Sequence, residues 1–175
     1  MSDWYIVEFD LNEVAEAKRI RTLKDKNQWG NRFDSDTRWT GYLGEMAFKF
    51  WLDQIGLKYT HWNYIDIKDK RDFTVGRLEI DVKTIATNFF PRKSYSCLVA
   101  CSQLDNQNVN AFVFCRYLLK EDKVVIMGWI SKDDFLEKSI FREKGYQEEN
   151  FVVPTDMRKV YMYQLKPLID IDRWK

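Results

Sequence analysis

One histidine, His61, is all the imidazole in this 175-residue chain. That scarcity argues against zinc hydrolases built on histidine ligands, Ser-His-Asp triads and nucleases with a histidine base, and leaves carboxylates and lysines to carry any acid-base or metal chemistry. Cysteine is also scarce: Cys97, Cys101 and Cys115 form an odd set without the close pairs a structural zinc site needs, so reduced core thiols are expected. With 7 Gly and 3 Pro there is no linker or low-complexity stretch, and no repeat stands out. No uncharged apolar run approaches the roughly 20 residues of a bilayer span, and MSDWYIVEFD has neither a basic lead nor an apolar signal core. The expectation is a cytoplasmic protein with no membrane partner.

What is present is a packed composition, 45% apolar and 16% aromatic, which repays chain entropy where a disordered sequence does not. The length suits one domain over 1–175. Within it we distinguish a strand-helix extension over about 1–40, a motif core over about 41–130, and a C-terminal helix and tail over 131–175. Lysine and arginine total 28 against 27 acids, so net charge alone does not announce a nucleic-acid binder. Distribution says more. Basic residues gather at Lys18 to Lys26, at Lys68 to Arg71, and at Arg92 and Lys93.

Trp4 to Phe9 reads as a strand, and Asp10 with Glu13 has the spacing of a capping box that opens a helix ending near Lys24 to Asn27. Gln28 to Thr40 reads as a loop in which Arg32 and Arg38 lie beside Trp29 and Trp39, a pairing suited to stacking on bases or to closing over a core. From Leu43 to Ile55 apolar residues recur at helical spacing on most of the circumference, so this helix is expected to be buried. Glu45, Lys49 and Asp53 form a row along it, either a surface ladder of ion pairs or, at Glu45, a group reaching into a site. Gly44 leaves room for a close neighbour. Further strands are expected at Tyr95–Cys101, Ala111–Leu119 and Val124–Ile130, and a Ser131–Asp134 cap opens a helix through Ile140. The order predicts a mixed α/β fold, a central mixed sheet flanked by helices.

The chemistry concentrates in DFTVGRLEIDVKT, from Asp72 to Thr84. Gly76 and Arg77 suit a two-residue hairpin turn, which pairs Val75 with Leu78, Thr74 with Glu79, Phe73 with Ile80 and Asp72 with Asp81. Alternation then puts Phe73, Val75, Leu78, Ile80 and Val82 on an apolar face and Asp72, Thr74, Glu79, Asp81 and Lys83 on the other. Opposed residues have Cβ atoms about 4.5–5.5 Å apart, so two carboxylates are expected face to face. Such a pair drives protonation of one partner or recruitment of a cation, and hard oxygen ligands favour Mg²⁺ or Mn²⁺. In this reading Asp72 and Asp81 hold the metal, the Val82 carbonyl joins them, Glu45 ligates through water or holds a second ion, Lys83 orients water or offsets charge on phosphorus, and Glu79 is a spare acid.

These residues resemble the PD-(D/E)XK nuclease superfamily: GYLGE ending at Glu45, RDFTV with Asp72, and EIDVKT with Asp81 and Lys83. The likeness covers about Gly41 to Thr84, with a looser similarity of later segments such as GWISKDDF to phage and bacterial members. Arg71 stands where a proline is frequent, and Asp81 where glutamate is common. The resemblance implies a restriction-endonuclease-like core, Mg²⁺ dependence with Mn²⁺ as substitute, cleavage of DNA, and a homodimer as one arrangement for cutting a duplex. Arg38, Arg92 and Lys93 are candidate phosphate contacts. A structure-selective junction resolvase or nickase, and a non-catalytic nucleic-acid-binding module of the same fold, remain alternatives.

Overall fold

A computed structural model describes residues 4–25, 39–62, 71–148 and 151–170, with the backbone alone for 21–25 and 106. Strand β1 (Tyr5–Glu8) runs into helix α1 (Leu11–Asp25) through the capping box that the sequence spells. Asp10 Oδ1 accepts from the N–H groups of Asn12 and Glu13 at 2.8 and 2.9 Å, and Glu13 Oε2 accepts from the N–H of Asp10 at 2.8 Å. Orphan donors of the first turn are thereby satisfied. Helix α2 (Thr40–Gln54) buries Leu43, Gly44, Glu45, Ala47, Phe48, Trp51 and Leu52, as its nearly all-round apolar pattern predicts.

Strands β2 (Thr60–His61), β3 (Phe73–Val75), β4 (Leu78–Thr87) and β5 (Ser96–Ala100) follow. Then come helix α3 (Cys101–Asn106), β6 (Ala111–Leu118), β7 (Lys123–Ser131), helix α4 (Lys132–Lys138), β8 (Ile140–Arg142), β9 (Met157–Tyr161) and a 3-10 turn at Met162–Gln164. Six strands form one sheet in the order β1-β7-β6-β4-β3-β2, and β5-β9-β8 form a second. The β4–β6 pair is parallel and the rest of the large sheet is antiparallel, so the sheet is mixed and the fold is mixed α/β.

β6 and β7 sit at the centre because AFVFCRYL and KVVIMGWIS are apolar on both faces. On one face Val113, Cys115, Tyr117, Val124, Ile126 and Trp129 join Phe48, Trp51 and Leu52 of α2 in one core. On the other, Phe112, Phe114, Val125, Met127 and Ile130 pack with Phe135 of α4 and with Cys97, Val99 and Val160 of the small sheet. All three cysteines are free, and burial pushes the Cys97 thiol up to about 12, so it behaves as a core group.

Two expectations change. Ser131 Oγ does accept from the N–H of Asp134 at 3.2 Å, but the helix stops at Lys138 and Ile140 opens β8 instead of extending α4. The cause is tertiary: Ile140 pairs with Lys159. The tail beyond it is not plain either, since β9 completes the small sheet and its Lys159 is buried against Glu148 at 2.7 Å, with Arg142 Nε on the same carboxylate at 2.8 Å. No described helix is long and apolar enough to cross a membrane.

Candidate functional site

The site begins where α2 touches β4. A Cβ on Gly44 would lie 1.8 Å from Thr84 Oγ1, so only a residue without a side chain lets the helix come this close. The next residue, Glu45, is delivered into the contact and is 3% exposed. The row it shares with Lys49 and Asp53 is therefore split: those two form an exposed ion pair at 2.8 Å, and Tyr59 donates to Asp53 at 2.7 Å. Glu45 faces inward instead.

The β3–β4 hairpin has the predicted turn and register. Gly76 takes φ +58°, as a mirror-image turn requires, and Val75–Leu78, Thr74–Glu79 and Phe73–Ile80 are paired. The apolar face Phe73, Val75, Leu78, Ile80 and Val82 is buried in the α2 core. The expected pairing of Asp72 with Asp81 does not form. The ladder's last pair is Phe73–Ile80, and the Asp72 N–H already bonds the Ile80 carbonyl at 2.8 Å. Asp72 instead turns its carboxylate onto the strand, where Oδ2 accepts from the Val82 N–H at 2.7 Å. The two acids are neighbours around one strand edge, not partners across a ladder.

This edge exists because β4 outlasts β3. β6 accompanies β4 from Ile80 to Thr87, whereas β3 leaves it after Ile80. In an extended strand the N–H and C=O of one residue point the same way, so the Val82 carbonyl is directed to the edge its N–H shares with Asp72. Asp81 and Lys83, on the polar face, are in ion-pair contact. Asp81 is 5% exposed, and its Oδ2, the atom that meets Lys83 Nζ, is enclosed. Asp72 is held well above the usual aspartate range by desolvation first, then by the charges of Glu45 and Asp81, against opposing help from the Val82 N–H and Lys83. Glu45, Asp72, Asp81 and Lys83 thus form one electrostatic unit.

The sequence reading passed over one member. His61 Nε2 lies 3.4 Å from Glu45 Oε2, and its ring stacks flat on Phe73 with centroids 4.4 Å apart and planes 3° from parallel. β2 pairs His61 with Phe73 across the hairpin, a contact that the exclusion of histidine chemistry did not foresee. Glu79, expected as a spare acid, is occupied: Arg71 Nη1 meets it at 2.6 Å and Thr74 Oγ1 donates to it at 2.8 Å. Arg71 in turn lies over the Trp62 ring at 4.5 Å.

Arg92 and Lys93 are exposed on the loop after β4, beyond the strand that carries Asp81 and Lys83. Arg38, with Arg32 and Trp29, lies outside the described residues. Trp39 packs edge-on against Tyr117 at 5.2 Å, which places it over the core. Among the described residues no three His, Cys, Asp or Glu side chains converge as a ready metal cage. The donor set is nonetheless one of hard oxygens, with Asp81 Oδ2 enclosed against Lys83 Nζ and a carboxyl on Asp72 that burial, then the charges of Glu45 and Asp81, discourage from ionising. A divalent cation would favour the ionised form of Asp72, once the carboxylates turn toward it. No family model matches the chain, and neither a curated protein nor a solved structure is significantly similar to it.

Proposed function

We propose that the chain is a metal-dependent nuclease that hydrolyses phosphodiester bonds in DNA, as its resemblance to the PD-(D/E)XK superfamily implies. One observation carries the reading: at the edge where β3 leaves β4, the charges of Glu45 and Asp81 both bear on Asp72, with Lys83 in contact with Asp81, an arrangement that core packing alone disfavours. Asp72, Asp81, the Val82 carbonyl and Glu45 are the groups that would hold Mg²⁺ or Mn²⁺. When bound, such an ion polarises the phosphoryl oxygen and brings the pKa of its water down to about 7. Lys83 supplies a fixed positive charge beside the site, where negative charge builds on phosphorus during attack. The Val82 N–H orients Asp72, and His61 lies against Glu45. Arg92 and Lys93 serve as phosphate contacts beyond the reacting centre.

A second reading has its own support. The direct Asp81–Lys83 contact also suits a non-catalytic nucleic-acid-binding module in which the pair is structural. Incubating purified protein with plasmid, single-stranded and branched DNA, in Mg²⁺, Mn²⁺ or EDTA, separates the two. The nuclease reading expects cleavage that EDTA stops, that Asp81→Ala abolishes, and that Lys83→Ala slows by about 10²–10³-fold. Cleavage that survives EDTA or Asp81→Ala, or that Lys83→Ala leaves undiminished, removes the metal mechanism, and inert protein favours the binding module. The products also tell a nickase or resolvase from a duplex cutter.

A further inference from the structure

β4 leads from the acidic site to a loop with an unusual surface. Past Thr87 come Asn88, Phe89, Phe90, Pro91, Arg92 and Lys93, and Phe89 and Phe90 are 70% and 47% exposed. With Pro91, Arg92 and Tyr95 they line an open groove of about 470 Å³. Trp4 lies beside Phe90 with ring centroids 5.8 Å apart, and Tyr163, also well exposed, is joined to the loop through its N–H to the Lys93 carbonyl at 3.0 Å.

The loop is braced at several points. The Tyr95 N–H donates to the Arg92 carbonyl at 2.8 Å, the Met162 N–H to the Tyr95 carbonyl at 2.9 Å, and the Phe89 N–H to Thr87 Oγ1 at 3.2 Å. Two large rings are thus held in water on a fixed backbone, against the ordinary tendency to bury them. Along the loop itself the charge has one sign. From Thr84 to Leu104 the chain has no Asp or Glu, and neither Arg92 nor Lys93 makes an ion pair with a described residue.

We infer that this groove binds an unpaired stretch of nucleic acid, with bases stacked on Phe89 and Phe90 and the backbone phosphates on Arg92 and Lys93. Exposed rings interleaved with unpaired cations suit a ligand whose flat apolar faces alternate with anions, which single strands offer and a duplex does not, its bases being already stacked. The six residue steps from Lys83 to Phe89 span at most about 20 Å of extended chain, a reach that a few nucleotides cover. The inference rests on the reading of the acidic site as a phosphodiesterase and narrows its substrate to DNA with a single-stranded portion next to the cut.

Binding of fluorescently labelled oligothymidylate to the full-length protein, followed by anisotropy in EDTA, tests the groove without cleavage. A duplex and an abasic deoxyribose-phosphate oligomer of equal length are the comparisons. Oligothymidylate should bind more tightly than either. Phe89→Ala and Phe89→Leu should each weaken it about tenfold while leaving the abasic oligomer unchanged, and Phe89→Tyr should keep it. Arg92→Ala should weaken both single-stranded ligands and reduce the salt slope by about one unit. Equal loss on the abasic oligomer, preference for duplex, or no loss in Phe89→Ala and Phe89→Leu overturns the groove, even if Mg²⁺-dependent cleavage is found. Stacking that depends on Phe89 in a protein that cleaves nothing leaves the groove standing and removes the nuclease reading instead.

Discussion

Asp72 is the residue whose energetics the site most distorts. Its folded pKa is raised above the unfolded value, so folded chains keep its proton to higher pH than unfolded ones. Its contribution to stability is therefore full below the ordinary aspartate range, about pH 3.9, and is lost as pH rises through the folded value. Above the ordinary aspartate range the group therefore costs the fold stability. Asp72→Asn keeps an oxygen for the Val82 N–H but removes the charge. In EDTA at pH 7 it should melt a few degrees above the parent, and the gain should shrink toward zero below about pH 4. Thermal melts across that range decide it, and a gain that does not vary with pH contradicts the assigned cause. Asp81 and Lys83 were legible as a polar face because a strict two-residue alternation along β4 separates them from Ile80 and Val82, whereas the seat of Asp72 was not, since β3 leaves β4 before the expected pair with Asp81 can form. His61 was not, since its approach to Glu45 comes through strand pairing and a ring stack, which no local period records.

At the scale of elements, the site depends on the distance between α2 and β4, and Gly44 sets it. Gly44→Ala puts a methyl 1.8 Å from Thr84 Oγ1 and 3.0 Å from Thr84 Cβ, so the helix must lift or the strand must yield. Overpacking of this kind costs about 1–3 kcal/mol. Because Glu45 is the next residue on the helix, the proposed cleavage should fall together with stability. Adding Thr84→Ala removes the worst clash, and the double variant should recover part of both losses in denaturant titrations and activity assays. Purely additive effects would show that the two positions do not bear on each other. Such an approach was half visible beforehand: a glycine in a buried helix announces a close neighbour without naming it. β6 and β7 were legible as continuous apolar runs, and α2 as a helix apolar nearly all round. β8 and β9 were not. They are short, and MRKVY carries charge through its middle; Lys159 is tolerated inside only because Glu148 meets it there.

For the molecule as a whole, a formal net charge of +1 provides no general attraction for a polyanion, so affinity for nucleic acid must be built locally. The same reasoning applies to the acids: where like charges crowd a partly enclosed edge, an external cation stabilises the folded chain in proportion to how much better it binds folded than unfolded protein. A cation at 100 times its Kd adds about 2.7 kcal/mol, which for a chain of this size raises Tm by roughly 5–10 °C. Mn²⁺ or Mg²⁺ should therefore shift the melt upward with a concentration dependence that saturates, and EDTA should reverse it. Asp81→Ala should erase the shift. Lys83→Ala, which takes away a competing cation and no oxygen ligand, should preserve or enlarge it. A structural Asp81–Lys83 pair gives the opposite pattern, with no metal-dependent shift in the parent and destabilisation from either substitution, because each leaves a charge enclosed without its partner. Differential scanning fluorimetry on these three proteins across a metal titration separates a site that awaits an ion from a site that is already complete.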